Sequence, residues 1–220
     1  MVIDDERRKV IFVHIPKTGG VSVERSIHKA LGGNDEIAYG KMIRVLPRPD
    51  VKTCRGLALH STMKDFRRYY EDRFPEFYKF SIVRNPWRRM VSHYEYLMSP
   101  MWNNRVHESN KMDFPTFIQT WKTNLLAYSM VDGYDTFLDD GRGTELDRVI
   151  KLENINEDLP KVGLDIRLEI TDVLHMNPTE EKHKEHKNWK DYYNPGLRDM
   201  VQKIYKDDII RYNYEFEEGS

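Results

Sequence analysis

The chain has a single cysteine, Cys54. One thiol excludes an internal disulfide and leaves a cysteine-built zinc site without its ligands. The expected setting is therefore reducing and cytoplasmic. Long apolar runs are missing as well. No window approaches the roughly 18 uninterrupted apolar residues that a membrane helix needs, and the opening MVIDDERRKV lacks the apolar core of a secretory signal. An excess of one charge is also absent. With 35 Lys and Arg against 36 Asp and Glu the net charge is −1, so no basic field argues for nucleic acid. Internal repeats and low-complexity linkers are not found, and 220 residues are expected to form one domain, 1–220, with a sizeable core. Charged residues reach 32%, but aromatics at 12% argue against disorder.

One familiar motif is lacking too. The nucleoside-triphosphatase loop G-x-x-x-x-G-K-[ST] sets its lysine after the glycines. Here the order is reversed, with Lys17 ahead of Gly19 and Gly20 in IFVHIPKTGGVS, residues 11–22. An apolar strand, a glycine turn and a helix N-terminus in that order form an anion cradle. The glycines let backbone N–H groups approach the anion, and the helix dipole favours its charge. A glycine pair alone is an ordinary strand-to-helix turn; the strand before it, the helix after it and the lysine between point to phosphate.

The remaining pattern alternates strands and helices. Strands are expected at Val10–Ile15, near Thr53–Leu59, at Phe77–Val83 and at Leu146–Leu152. Helices are expected at Ser22–Leu31, after the capping pattern Thr62-Met63-Lys64-Asp65, after Asn85-Pro86, after Asp113, at Asn156–Gly163 and after Asn194-Pro195, the last running through Ile209. Such alternation implies an α/β fold with a mainly parallel sheet. Ligands of such sheets sit at the carboxyl ends of strands, where residues 16–22, 60–62 and 84–92 fall. In the last of these Arg84 lies just outside a helix N-terminus. Ser92 lies about two turns in, on the face opposite the apolar stripe of Trp87, Met90, Val91, Tyr94, Leu97 and Met98. A guanidinium and a hydroxyl so spaced can grip a second phosphate; a solvated basic helix face, with Arg88 and Arg89, is the plainer alternative.

With these two segments in order, the sequence resembles the sulfotransferases that use 3′-phosphoadenosine 5′-phosphosulfate. HIPKTGGVS is similar to their 5′-phosphosulfate loop, and VRNPWRRMVSHY to their 3′-phosphate segment, with arginine and serine eight residues apart. The nearest branch is the carbohydrate-type (family 2-like) enzymes and their bacterial relatives, whose C-terminal helix resembles Asp191–Arg198 continuing to Tyr205–Tyr214. One position departs from the pattern: Val21 stands where the family often has Thr or Ser after the glycines, although Thr18 and Ser22 keep hydroxyls nearby.

The resemblance implies a P-loop NTPase-like three-layer fold. It also implies in-line transfer of a sulfuryl group to an acceptor hydroxyl, with adenosine 3′,5′-bisphosphate as product and no metal. Pro16, Lys17, Thr18, Gly19, Gly20, Val21 and Ser22 would hold the phosphosulfate, and Arg84 and Ser92 the 3′-phosphate. Lys17 would stabilise the leaving oxygen. His60, expected at a strand end just before a capped helix, would be the general base, as histidines at the matching place in that branch are; an ordinary histidine pKa of about 6.5 suits the task. His14 fits less well, lying inside the first strand; His93 packs on the cofactor helix; His175, His183 and His186 fall in a polar stretch. The acceptor is expected to be a glycan or small molecule. Tyr94, Tyr96, Trp102, Phe114, Phe117, Trp121 and Tyr128 are candidates to contact it, though most fall on core-facing stripes. Arg105, His107, Lys111 and Lys122 could hold an acidic glycan, and Arg142-Gly143 could close over the cofactor. Two alternatives stay open: a kinase-like phosphotransferase using Mg-ATP, and a nucleotide-binding partner protein without catalysis. The sequence sets no oligomeric state.

Overall fold

A computed structural model of the chain describes residues 1–33, 59–98, 112–120, 132–174 and 188–216. These divide into two compact units, Met1–Val83 with Tyr134–Met176, and Arg84–Gly133 with Asn177–Ser220.

The first unit is built on a four-stranded sheet. Its strands are β1 (Val2–Asp4), β2 (Lys9–Val13), β3 (Tyr78–Val83) and β4 (Arg148–Lys151), in that spatial order. β2, β3 and β4 run parallel, with Phe12 beside Phe80 and Ile82 beside Ile150; β1 is antiparallel to β2. Period-two alternation sends Val10, Phe12, Phe80, Ile82 and Ile150 to one face. There they bury against Val23 and Ile27 of α1 (Gly20–Ala30) and Ile155, Leu159 and Val162 of a later helix, Ile155–Asp165. Lys79 and Ser81 point to the other face, where the Lys79 Nζ lies 5.1 Å from the Phe74 ring centroid. Phe74 belongs to the 3-10 turn following α2 (Met63–Tyr70), so helical structure flanks both faces. This is the α/β, mainly parallel architecture that the alternation predicts.

α2 begins where its capping box requires. Thr62 accepts from the Asp65 backbone N–H, and the Asp65 carboxylate accepts from the Thr62 N–H at 2.8 Å. The segment Asp139–Gly143, whose Asp-Asp-Gly-Arg-Gly composition reads as a flexible loop, follows α5 (Tyr134–Leu138) and is organised by the buried Asp140. One carboxylate oxygen accepts from the N–H groups of Arg142 (2.9 Å) and Thr144 (3.1 Å), and the other is paired with Arg67.

The second unit is helical: α3 (Pro86–Met98), α4 (Phe114–Thr120), α7 (Pro195–Ile204) and α8 (Lys206–Arg211); the helix Ile155–Asp165 of the first unit is α6. Asn85 caps α3, its Oδ1 accepting from the N–H groups of Trp87 (3.1 Å) and Arg88 (3.3 Å), with Pro86 as the first helical residue. Asn194 caps α7 in the same way, accepting from Leu197 at 2.9 Å. The predicted final helix does not run unbroken to Ile209. It stops at Ile204, because the buried Tyr205 takes φ −110° and ψ 28°, and α8 then begins anew. Two further boundaries differ from the sequence reading. The first long strand ends at Val13 rather than Ile15, and β1, only three residues long, carries too little pattern to be seen. Of the strand expected near Thr53–Leu59, only Leu59 is among the described residues, and it lies in a turn.

Candidate active site

The segment between β2 and α1 is a tight backbone cradle. After β2 ends at Val13, residues 16–19 turn and α1 begins at Gly20. Lys17 takes φ +65° and Gly19 φ +85°. The left-handed region costs an ordinary side chain about 1–2 kcal/mol, so holding Lys17 there requires the surrounding loop to fix it. Thr18 does part of this, its buried hydroxyl donating to the Ile15 carbonyl at 2.9 Å. Gly19 is required twice over: by its φ, and because a Cβ would stand 2.5 Å from Cδ1 of Leu152, just beyond the end of β4. A Cβ on Gly20 would stand 2.3 Å from the His14 ring.

No side chain caps α1, and its first turn carries no acidic residue. The positive end of the helix dipole therefore meets no carboxylate of its own first turn. A backbone-lined turn, a helix N-terminus with no acidic residue in its first turn and Lys17 together suit an anion. Ser22 is buried and Val21 half-buried, one turn into α1.

Beside this cradle stands a pair of histidines. His14 follows β2 directly, and only 4% of its surface is exposed. Its Nδ1 lies 3.2 Å from Oε1 of Glu24, which is equally buried on α1. Burial alone would raise the Glu24 carboxyl, but the hydrogen bond and charge of His14 outweigh it and hold Glu24 below the usual carboxylate range. His60 lies in the turn leading into α2, two residues before the cap Thr62. Its ring meets that of His14 edge-on, with centroids 4.9 Å apart, and its Nδ1 is 2.9 Å from the His14 carbonyl oxygen. A carbonyl can only accept, so Nδ1 of His60 carries the proton and Nε2 keeps its lone pair. Burial is the largest influence on His60 and lowers its pKa to about 4, below the ordinary value of about 6.5 that the sequence reading assumes for the base. At neutral pH His60 is uncharged.

The second predicted segment belongs to the other unit. Arg84 follows β3 in the chain and is half-buried; Ser92 is buried on α3. The plainer alternative, a solvated basic face, does not hold at Arg89 or Ser92. Arg89 is only 1% exposed, its Nη1 donates to the Asp132 carbonyl at 2.8 Å, and its guanidinium carbon lies 5.9 Å from the Tyr205 ring centroid. Arg89 is therefore an anchor between helices. The Arg88 guanidinium lies 5.7 Å from the Trp189 ring centroid, and among the described residues its buried Nε has no hydrogen-bond partner, leaving a donor for an anion.

Tyr94, Phe114 and Phe117 form an aromatic cluster with Tyr192 and Tyr193, the core-facing reading of those residues. His93 stacks on Phe117 and is fully buried, and Arg142 is exposed. Tyr96 is half-buried on α3. Trp102, Arg105, His107, Lys111, Trp121, Lys122, Tyr128, His175, His183 and His186 lie outside the described residues. No group of three or more His, Cys, Asp or Glu able to hold a metal occurs among the described residues, and no helix there is long and apolar enough to cross a membrane. The Glu24–His14 pair was not foreseen in the sequence. Its only sequence signal is a carboxylate on the helix that follows the cradle, too common to single out.

Comparison with known proteins gives the family. A crystal structure of a sulfotransferase from Alicyclobacillus acidocaldarius is similar at 14% identity and TM-score 0.49, covering 92% of this chain and 94% of that one. No curated protein matches the sequence significantly. The profile of the sulfotransferase family matches residues 1–215. A match of that extent, over a strand–glycine turn–helix cradle with its lysine ahead of the glycines, means that the chain belongs to the sulfotransferase family, enzymes that take a sulfuryl group from 3′-phosphoadenosine 5′-phosphosulfate.

Proposed function

We propose that this enzyme transfers the sulfuryl group in line to an acceptor hydroxyl, on a carbohydrate, with His60 as general base and Lys17 beside the leaving oxygen. The observation that carries the reading is the hydrogen bond from His60 Nδ1 to the His14 carbonyl. It fixes the tautomer in which Nε2 can take a proton, and burial keeps that nitrogen unprotonated at neutral pH. Pro16, Lys17, Thr18, Gly19, Gly20, Val21 and Ser22 hold the 5′-phosphosulfate, and Arg84 and Ser92 hold the 3′-phosphate. The bound donor supplies an activated sulfur bridged through oxygen to phosphate. Lys17, a compact point charge, offsets the negative charge that grows on that oxygen. The carbohydrate acceptor is supported by the resemblance to the carbohydrate-type branch. The cytoplasmic setting is supported by the single cysteine. The match over 1–215 supports one sulfotransferase domain spanning residues 1–220.

Ligand-dependent thermal unfolding tests the donor assignment. Adenosine 3′,5′-bisphosphate should raise the midpoint without magnesium, and ADP or Mg-ATP should raise it far less. A larger shift with Mg-ATP would favour the kinase-like alternative and overturn this reading.

A further inference from the structure

We propose that Glu24 is a positioning residue for the transfer, holding His14 beneath His60 and supplying the buried negative charge that balances His60 as it takes up a proton. The inference rests on the reading of His60 as the base.

Residues 14 and 24 straddle the cradle. Their side-chain hydrogen bond joins the end of β2 to the second turn of α1, closing the loop that carries Lys17 and the glycines. The same bond holds the His14 ring against Gly20, where no Cβ could fit. It also orients the ring edge-on to His60, whose Nδ1 is bonded to the His14 carbonyl. One buried carboxylate thus supports both the anion cradle and the base.

The charge has a role beyond geometry. During transfer the acceptor O–H bond breaks and its proton bonds to Nε2 of His60. The acceptor oxygen bonds to sulfur as the sulfur–oxygen bond to the phosphate breaks, and that bond's electron pair stays on the phosphate oxygen beside Lys17. His60 becomes an imidazolium in a buried place, which is costly without an opposite charge. Among the described residues, the ionisable groups acting on it are His14, Glu24 and the Met1 ammonium. His14 offers no negative charge. The Met1 ammonium, 3.7 Å from Oε1 of Glu24, has its own pKa lowered by burial. Glu24 is the one carboxylate of the set.

Glu24→Gln isolates this charge, since the amide oxygen can still accept from His14. Two readouts test it. In spectra of 15N-histidine-labelled protein, the titration midpoint of His60 should fall below its wild-type value. In turnover with an acceptor found by screening glycans and phenols, kcat should fall roughly tenfold or more with KM for donor and acceptor little changed, the pattern of an interaction made only in the transition state. Glu24→Asp, which keeps the charge, should recover part of kcat. An unmoved His60 midpoint or a wild-type kcat in Glu24→Gln would overturn the proposal. Should Glu24→Gln fail to fold, Glu24→Asp carries the test: its shorter side chain draws the carboxylate away from His14, so a lowered kcat with KM little changed supports the proposal and a wild-type kcat overturns it. His60→Ala separates the two claims. If that variant loses turnover while Glu24→Gln does not, the base reading stands and this one falls; if it keeps turnover, the base reading itself falls.

Discussion

At the residue scale the cradle is tuned by a few positions with no freedom. Gly20→Ala would drive a methyl into the His14 ring. The ring is tied to Glu24 and cannot simply step aside, so a loss of about 1–3 kcal/mol in urea unfolding is expected, with weakened binding of the bisphosphate product in calorimetry. His60 has a more specific signature. Its folded pKa, about 4, lies below the ordinary 6.5. Above pH 6.5 neither state binds the proton and no penalty arises. As pH falls from 6.5 to 4 the unfolded chain binds a proton that the folded chain refuses, so stability drops by an amount approaching about 3 kcal/mol. Urea midpoints of wild type and His60→Gln at pH 7 and pH 4.5 check this: the wild type should lose more. The acid limb of kcat/KM, which reports the free enzyme, should likewise lie near pH 4 and leave the profile flat from 5 to 7. An acid limb near 6.5 would show that His60 is not shielded in the way described.

At the element scale much was legible because capping chemistry is local. Asn85-Pro86, Asn194-Pro195, Asp113 and the Thr62–Asp65 box all act within three residues, and each starts the helix it announces. Thr62→Ala should cost about 1 kcal/mol in unfolding free energy. Because His60 sits two residues before this cap, kcat should fall further than the stability loss alone explains. What was not legible depends on distant packing. Arg89 and Ser92 read as a polar face of α3 until Asp132 and Tyr205 are seen to cover Arg89. His14 reads as a strand residue, yet β2 stops one residue earlier and the ring is claimed by Glu24. Asp140 reads as part of a flexible loop because its partner Arg67 is remote in sequence.

At the scale of the whole molecule, the order of motifs along the chain was the readable signal. Lysine before the glycines separates this cradle from the triphosphatase loop, and an arginine and a serine spaced eight apart after the next strand match the family's second phosphate segment; the family match over 1–215 bears out the family drawn from them. The acceptor could not be read in the same way. Apart from the half-buried Tyr96, its candidate contacts either pack into the aromatic cluster around Phe114 or fall outside the described residues. On the proposed mechanism, in which Lys17 and backbone amides would carry the electrostatic work, the reaction should be unaffected by EDTA; abolition by EDTA and recovery with magnesium would point to the kinase-like alternative.

The most direct test is transfer of labelled sulfate from 3′-phosphoadenosine 5′-phosphosulfate to a panel of glycans and phenols by wild type and His60→Ala, with bisphosphate binding measured on both. Wild type should label a hydroxyl acceptor, while His60→Ala should lose transfer by roughly 10²–10⁴-fold, the usual worth of a general base, and still bind the bisphosphate with near wild-type affinity. Near-normal transfer by His60→Ala would contradict the assignment of the base.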